Sequence, residues 1–344
     1  LPLLLIPAAL KGAAVIAGAA GVGAAAHGVK KMKDANDTME YVKNRHEKNM
    51  ARFEKENETT TKDMDKLGKL ELEILHSFNE FSDLFEQIKN RPIFETYSKN
   101  GVTLPKYDGE KIKDVSVGAG VLLGGLGGAG LGTAGGFAAA GATTAAVMAL
   151  GTASTGTAIS SLSGAAAANA TLALLGGGAL TAGGGGMAAG AAALSAATLG
   201  VGLLIGGVIF NFTGSKLSDK ADEAKVQMKK AEEKINAICD YLVDLRSASN
   251  KYYNTLSKVN KIYQKHLSDL NSIVTLLGHT NWNTFSLEER KLTENTVLLV
   301  GLLYNMCKVE LVLKSKNEDD INTINKEAIK KSIHNANSVL SDNF

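Results

Sequence analysis

The sequence predicts an all-α fold in which long antiparallel coiled-coil helices form a bundle that carries a Gly/Ala-rich region of hydrophobic helical hairpins. Three observations predict it. A heptad seam runs through residues 216–277. Only 4 prolines and 6% aromatic residues occur in 344 positions, and few breakers with few aromatics favour long helices. From Val115 to Ser215 the chain runs 101 residues without an Asp, Glu, Lys, Arg or His, and 27 of its 37 glycines fall inside that stretch. Averages over the whole chain, 45% hydrophobic with a net charge of +2, conceal this block between two polar ones.

The first segment, residues 1–29, is a small apolar element. Pro2 and Pro7 punctuate its start, while Ala9, Ala13, Ala17, Gly21 and Ala25 set small residues at four-residue spacing ahead of Lys30, Lys31 and Lys33. It suits an N-terminal apolar helix acting as an anchor. The competing reading is a secretory signal with a small-residue cleavage patch at Ala24–Ala26, although Lys11 splits its apolar core.

Residues 30–114 read as a long helix followed by a loop. Met32, Ala35, Met39, Val42, Phe53, Met64, Leu67, Ile74, Phe78, Phe81, Phe85 and Ile88 keep one heptad register up to Lys89. His46, Asn49 and Thr60 occupy seam positions, and Glu58–Thr61 is poor helix material, so a hinge or break is expected there. Pro92, Gly101, Pro105 and Gly109 mark residues 90–108 as a connecting loop.

In residues 115–215 the glycines are ordered. Gly120, Gly124, Gly128, Gly132 and Gly136 fall at strict four-residue spacing, and Gly178, Ala182, Gly186 and Gly190 repeat the device. Such zippers suit helices in lipid, where close packing drives association, while each glycine costs a water-soluble helix about 1 kcal/mol relative to alanine. Turns at Thr152–Ser163 and Gly183–Gly186 divide the block into helical hairpins. Lys111 and Lys113 before it and Lys216 after it place both ends on one side of a membrane, which favours two or four spans. Gly, Ala, Ser and Thr partition weakly compared with Leu or Ile, so these helices are marginal. They fit storage inside a soluble bundle until a trigger releases them, and they equally fit constitutive residence in the bilayer.

Residues 216–277 hold the cleanest seam: Leu217, Ala221, Ala224, Met228, Ala231, Ile235, Ile238, Leu242, Leu245, Tyr252, Leu256 and Val259 recur at alternating steps of four and three, with Ser249 filling the gap between Leu245 and Tyr252. A helix of that extent would be about 90 Å long and needs an equally long partner, for which residues 30–89 are the candidate. Residues 278–344 complete the bundle as a helical pair. Ser286 and Glu289 form a capping box, Val297–Cys307 is an apolar run too short to span a bilayer, and Ile321, Ile324, Ala328, Ile333 and Val339 mark a last amphipathic helix.

Enzymatic chemistry is not indicated. Gly125, Gly127 and Gly130 satisfy a dinucleotide pattern, but the acidic residue required about twenty positions later does not occur before Asp219. Cys239 and Cys307 match no metal or redox spacing and read as buried thiols, and the six histidines show no paired ligand spacing. Glu71, Glu73 and Asp83 read as helix-surface carboxylates. Trp282 and Phe285 read as anchors of a turn between helices. No catalytic, metal or cofactor site is expected, and the near-neutral charge offers no stripe for nucleic acid.

The order long helix, hydrophobic segment, long helix over residues 30–277 resembles the α-helical pore-forming toxins of the haemolysin BL, non-haemolytic enterotoxin and cytolysin A type. That resemblance implies a hydrophobic hairpin, here Val115–Ser215, packed on a helical bundle in the soluble form and inserted after a conformational change. The family would not predict residues 1–29, and its usual hairpin is shorter. Residues 171–190 also resemble a glycine-rich segment of bacterial membrane-associated proteins. Together these readings predict membrane localisation, with a lipid bilayer and further copies of the chain as partners, or a helical hetero-oligomeric partner. The rival expectation is a membrane-anchored coiled-coil scaffold or adaptor without pore activity.

Overall fold

Helix α1 occupies Val22–Glu86 without interruption, although Glu58–Thr61 was expected to break it. Local hydrogen bonds explain the continuity. The Thr59 hydroxyl donates to the Lys55 carbonyl at 2.8 Å, the buried Thr60 hydroxyl donates across to the Leu242 carbonyl at 3.2 Å, and Lys62 pairs with Glu58 at 2.6 Å. The weak propensity of two threonines is thereby offset by partners on both sides. The computed structural model describes residues 22–126, 138–139, 141–142, 146, 217–313, 315 and 321–344, and the fold is all-α.

After α1 come strands β1 (Tyr97–Lys99) and β2 (Val102–Leu104), helix α2 (Gly109–Leu126), helix α3 (Leu217–Asn271), helix α4 (Leu287–Met306), strands β3 (Val312–Leu313) and β4 (Thr323–Ile324), and helix α5 (Lys326–Asn343). Two antiparallel strand pairs were not expected. The first lies in the predicted loop at 90–108. Asn100 and Gly101 turn it with φ of 51° and 77°, the left-handed pair that a two-residue hairpin turn demands.

The chain divides into two units. In the unit comprising residues 1–49 and 209–233, Val42, Ala224 and Met228 are buried against one another with Met39 beside them, and Arg45 reaches Glu232 at 2.6 Å. The unit comprising residues 50–208 and 234–344 holds the main core. There Met64, Leu67, Ile74, Phe78, Phe81, Phe85 and Ile88 of α1 are buried, as are Leu245, Leu256 and Val259 of α3, while Ile238 and Leu242 pack with Phe53. Ile235 is also buried; Leu217 opens α3 with its side chain outside the described set.

Aromatic rings tie the connecting segment to this core. Phe85 lies 5.2 Å from Phe81, 5.0 Å from Tyr107 and 5.5 Å from Phe94, measured between ring centroids. Phe94 in turn meets Trp282 edge-on at 5.9 Å. A parallel bridge secures the same end: the Lys89 amide donates to the Thr280 carbonyl at 2.8 Å, and the Trp282 amide donates to the Lys89 carbonyl at 3.0 Å. As expected, Trp282 and Phe285 are buried at the turn between α3 and α4. A single π-helical turn, Ser272–Leu276, ends α3, and Gly278 reverses the chain at φ 69°.

Helix α4 begins with the predicted capping box. The Glu289 amide donates to Ser286 Oγ at 3.2 Å, and the Ser286 amide donates to Glu289 Oε2 at 2.7 Å. The Ser286 amide, followed by His279 at 2.6 Å, holds the Glu289 carboxyl below the usual carboxylate range. Ser286→Ala removes one half of the box and should cost about 1 kcal/mol, read as a lower thermal midpoint, with Ser286→Thr close to the parent. Cys239 and Cys307 are free and buried, as expected.

Candidate functional site

The site of interest is where the uncharged block meets the helical core. Helix α2 crosses that boundary. Its first turn is tied to Asp108, whose side chain accepts from the Lys111 amide at 3.2 Å and whose carbonyl accepts from the Ile112 amide at 3.0 Å. Lys113 reaches Glu86 at 3.8 Å, and the Lys111 ammonium sits 5.6 Å from the centre of the Tyr304 ring. Beyond Asp114 no charge follows in the helix. Ile112, Val115, Ser116, Ala119 and Leu122 then recur at helical spacing and are buried in the main core.

Two glycines of α2 allow close approaches, on different sides of the helix. A Cβ on Gly120 would lie 2.9 Å from His76 Nδ1 on α1, so this position makes room for an imidazole. The same crossing is locked by polar contacts. The Ser116 hydroxyl donates to the His76 carbonyl at 2.6 Å, and His76 Nδ1 lies 3.4 Å from the Ser116 carbonyl. A Cβ on Gly118 would lie 1.9 Å from the carbonyl oxygen of Ala146, so here two backbones meet with nothing between them. Residues two apart point about 200° away from each other around a helix, which is why Gly118 and Gly120 serve different neighbours.

Ala146 belongs to a stripe of small residues: Ala138, Ala139, Ala142 and Ala146 are fully buried within the main core. Residues 138–139, 142 and 146 are helical, and Gly141 between them takes φ 85°. A Cβ on Gly141 would lie 3.0 Å from the Lys308 carbonyl, so the corner rests on the turn that follows α4.

Of the predicted zipper positions, the structure places Gly120 against His76 and leaves open space around Gly124. Gly128, Gly132, Gly136, Gly178, Ala182, Gly186 and Gly190 lie outside the described residues. Gly118, Ser116 and His76 were missed, because a single four-residue register selects one stripe of a helix that touches two neighbours. Among the described residues, no helix is long and apolar enough to cross a membrane.

A correction concerns Glu71. It was expected on the helix surface with Glu73 and Asp83; those two are exposed, but Glu71 is fully buried. The signal was present, since Leu67, Glu71, Ile74 and Phe78 step by four, three and four along the seam.

A cleft of about 480 Å³ lies beside α2 and α4, lined in part by Phe94, Tyr97, Tyr107, Leu298 and Tyr304. Lys106 and Lys111 share its rim with Glu95 and Glu294, so its charges converge on no single sign of ligand. No protein-family model, curated protein or solved structure matches the chain.

Proposed function

We propose that this is a membrane-inserting helical protein that carries part of its Gly/Ala block folded onto a helical bundle and delivers it to a bilayer. There, small-residue stripes would assemble several copies into a unit that permeabilises or remodels the membrane. No catalytic step, cofactor or metal is part of this reading. The observation that carries it is the meeting of Gly118 with the Ala146 backbone, with Ala138, Ala139 and Ala142 buried beside it. Alanine and glycine surfaces bury little area per residue and partition weakly, so such a segment has a modest preference for either environment. A 101-residue run without an ionisable side chain supplies the apolar material.

A reversible staple tests the proposal. The double variant His76→Cys with Gly120→Cys sets two thiols at the α1–α2 crossing, where a Cβ on Gly120 would lie 2.9 Å from His76 Nδ1, and loss of free thiol on oxidation checks that the disulfide has formed. The parent is expected in the soluble fraction and should release dye from liposomes. The oxidised double variant should release dye at least about tenfold more slowly, and reductant should restore the rate. Recovery of the parent only in detergent, with no dye release, would instead indicate an anchored scaffold.

A further inference from the structure

Contacts among four helices of the second unit surround Glu71, whose carboxyl group is buried. Glu71 of α1 is fully buried in a seam position, and neither of its carboxyl oxygens has a hydrogen-bond partner among the described residues. From α3 comes Tyr252, whose hydroxyl donates to the Met306 carbonyl at 2.8 Å and lies 3.0 Å from Ser332 Oγ of α5. From the end of α4 comes Cys307, whose thiol points to the Glu71 backbone carbonyl at 3.9 Å. Among the described residues, the titratable groups whose electrostatics Glu71 influences are the Tyr252 phenol and the Cys307 thiol, and burial, with Glu71 adding to it, pushes both upward. No Lys, Arg or His among the described residues pairs with the carboxylate. An unpaired carboxylate in such a place loses its hydration with nothing to replace it.

The junction also touches the small-residue segment. Cys307 caps α4, and the next residue, Lys308, offers the carbonyl against which Gly141 rests, with Glu310 alongside. We infer that Glu71 is a protonation switch for the docked segment: neutral, it lets α1, α3 and α4 close around it, and ionised, it loosens the end of α4 and with it the seat of Ala138–Ala142. This rests on the reading of that segment as releasable.

The direction follows from linkage. Burial raises the Glu71 pKa well above the ordinary carboxylate value. The stabilising neutral form is therefore fully present below the usual carboxylate range and is lost as pH rises through the folded-state value. Release is favoured by a rise in pH.

The test compares full-length parent with Glu71→Gln and Glu71→Leu, which cannot ionise. Amide hydrogen exchange, corrected for its intrinsic pH dependence, is followed at Leu67–Phe78, at Cys307 and at Ala138–Ala142 between about pH 4 and pH 9. In the parent, protection at all three should fall together by about tenfold or more as pH rises, and in both variants it should stay flat. A pH-dependent loss that persists in both variants overturns the assignment. Loosening around Cys307 with unchanged protection at Ala138–Ala142 overturns the coupling to the docked segment. Dye release measured in parallel reads membrane insertion alone: a switch present without leakage at any pH would leave Glu71's control of docking intact and remove the membrane reading.

Discussion

Gly118→Ala should destabilise the docked segment by about 3 kcal/mol, a large effect for one methyl group. The new Cβ would fall 1.9 Å from the Ala146 carbonyl oxygen, and that atom is backbone, so no rotamer change can relieve the overlap. Either α2 or the 138–146 stripe has to move. Moving the stripe breaks its burial in the main core, and limited proteolysis or amide exchange should show Ala138–Ala146 exposed while α3 and α4 keep their protection. Gly124→Ala is the internal control. Nothing lies within 4 Å of its new Cβ, so the substitution should be neutral or stabilise by up to about 1 kcal/mol through helix propensity. Equal outcomes for the two positions would show that close packing at Gly118 contributes nothing.

The second large effect is expected for Phe85→Ala. Its ring joins Phe81, Phe94 and Tyr107, and the Arg91 guanidinium lies over it at 4.8 Å. Truncation leaves a cavity where the end of α1, the connecting segment and the start of α2 meet. A loss of about 3–5 kcal/mol is the ordinary cost of emptying such a site. Chemical denaturation should report it as an earlier midpoint. Phe85→Leu, which keeps much of the volume, should recover about half or more of the loss.

What the sequence revealed follows from which signals are periodic. Long helices announced themselves because Met64 to Ile88 and Ile235 to Val259 repeat one seam for many turns, and the Ser286–Glu289 box is a local chemical pattern that needs no tertiary knowledge. The break expected at Glu58–Thr61 did not occur, because its threonines find acceptors, one of them the Leu242 carbonyl 182 positions away. Propensity contains no record of such a partner. The β1–β2 pair was overlooked, although Asn100–Gly101 is a strong hairpin signal, because three-residue strands show too little alternation to stand out. Glu71 was assigned to the surface by residue type when its place in the register put it inside. The site was least legible of all. Glycine spacing picked out Gly120, but the contact that admits no Cβ is at Gly118, and only the fold supplies the backbone that approaches it.

The separation between pairing partners has a consequence for synthesis. Thr60 waits for Leu242, and Arg45 waits for Glu232, 182 and 187 residues downstream. At about 5–20 residues per second, a ribosome needs on the order of 10–40 s to supply them. Throughout that interval α1 has emerged with its seam uncovered, and the entire uncharged block emerges before α3 exists to close the core. The nascent chain therefore exposes its whole run of 101 residues without an ionisable side chain before the C-terminal half that closes the core has been made.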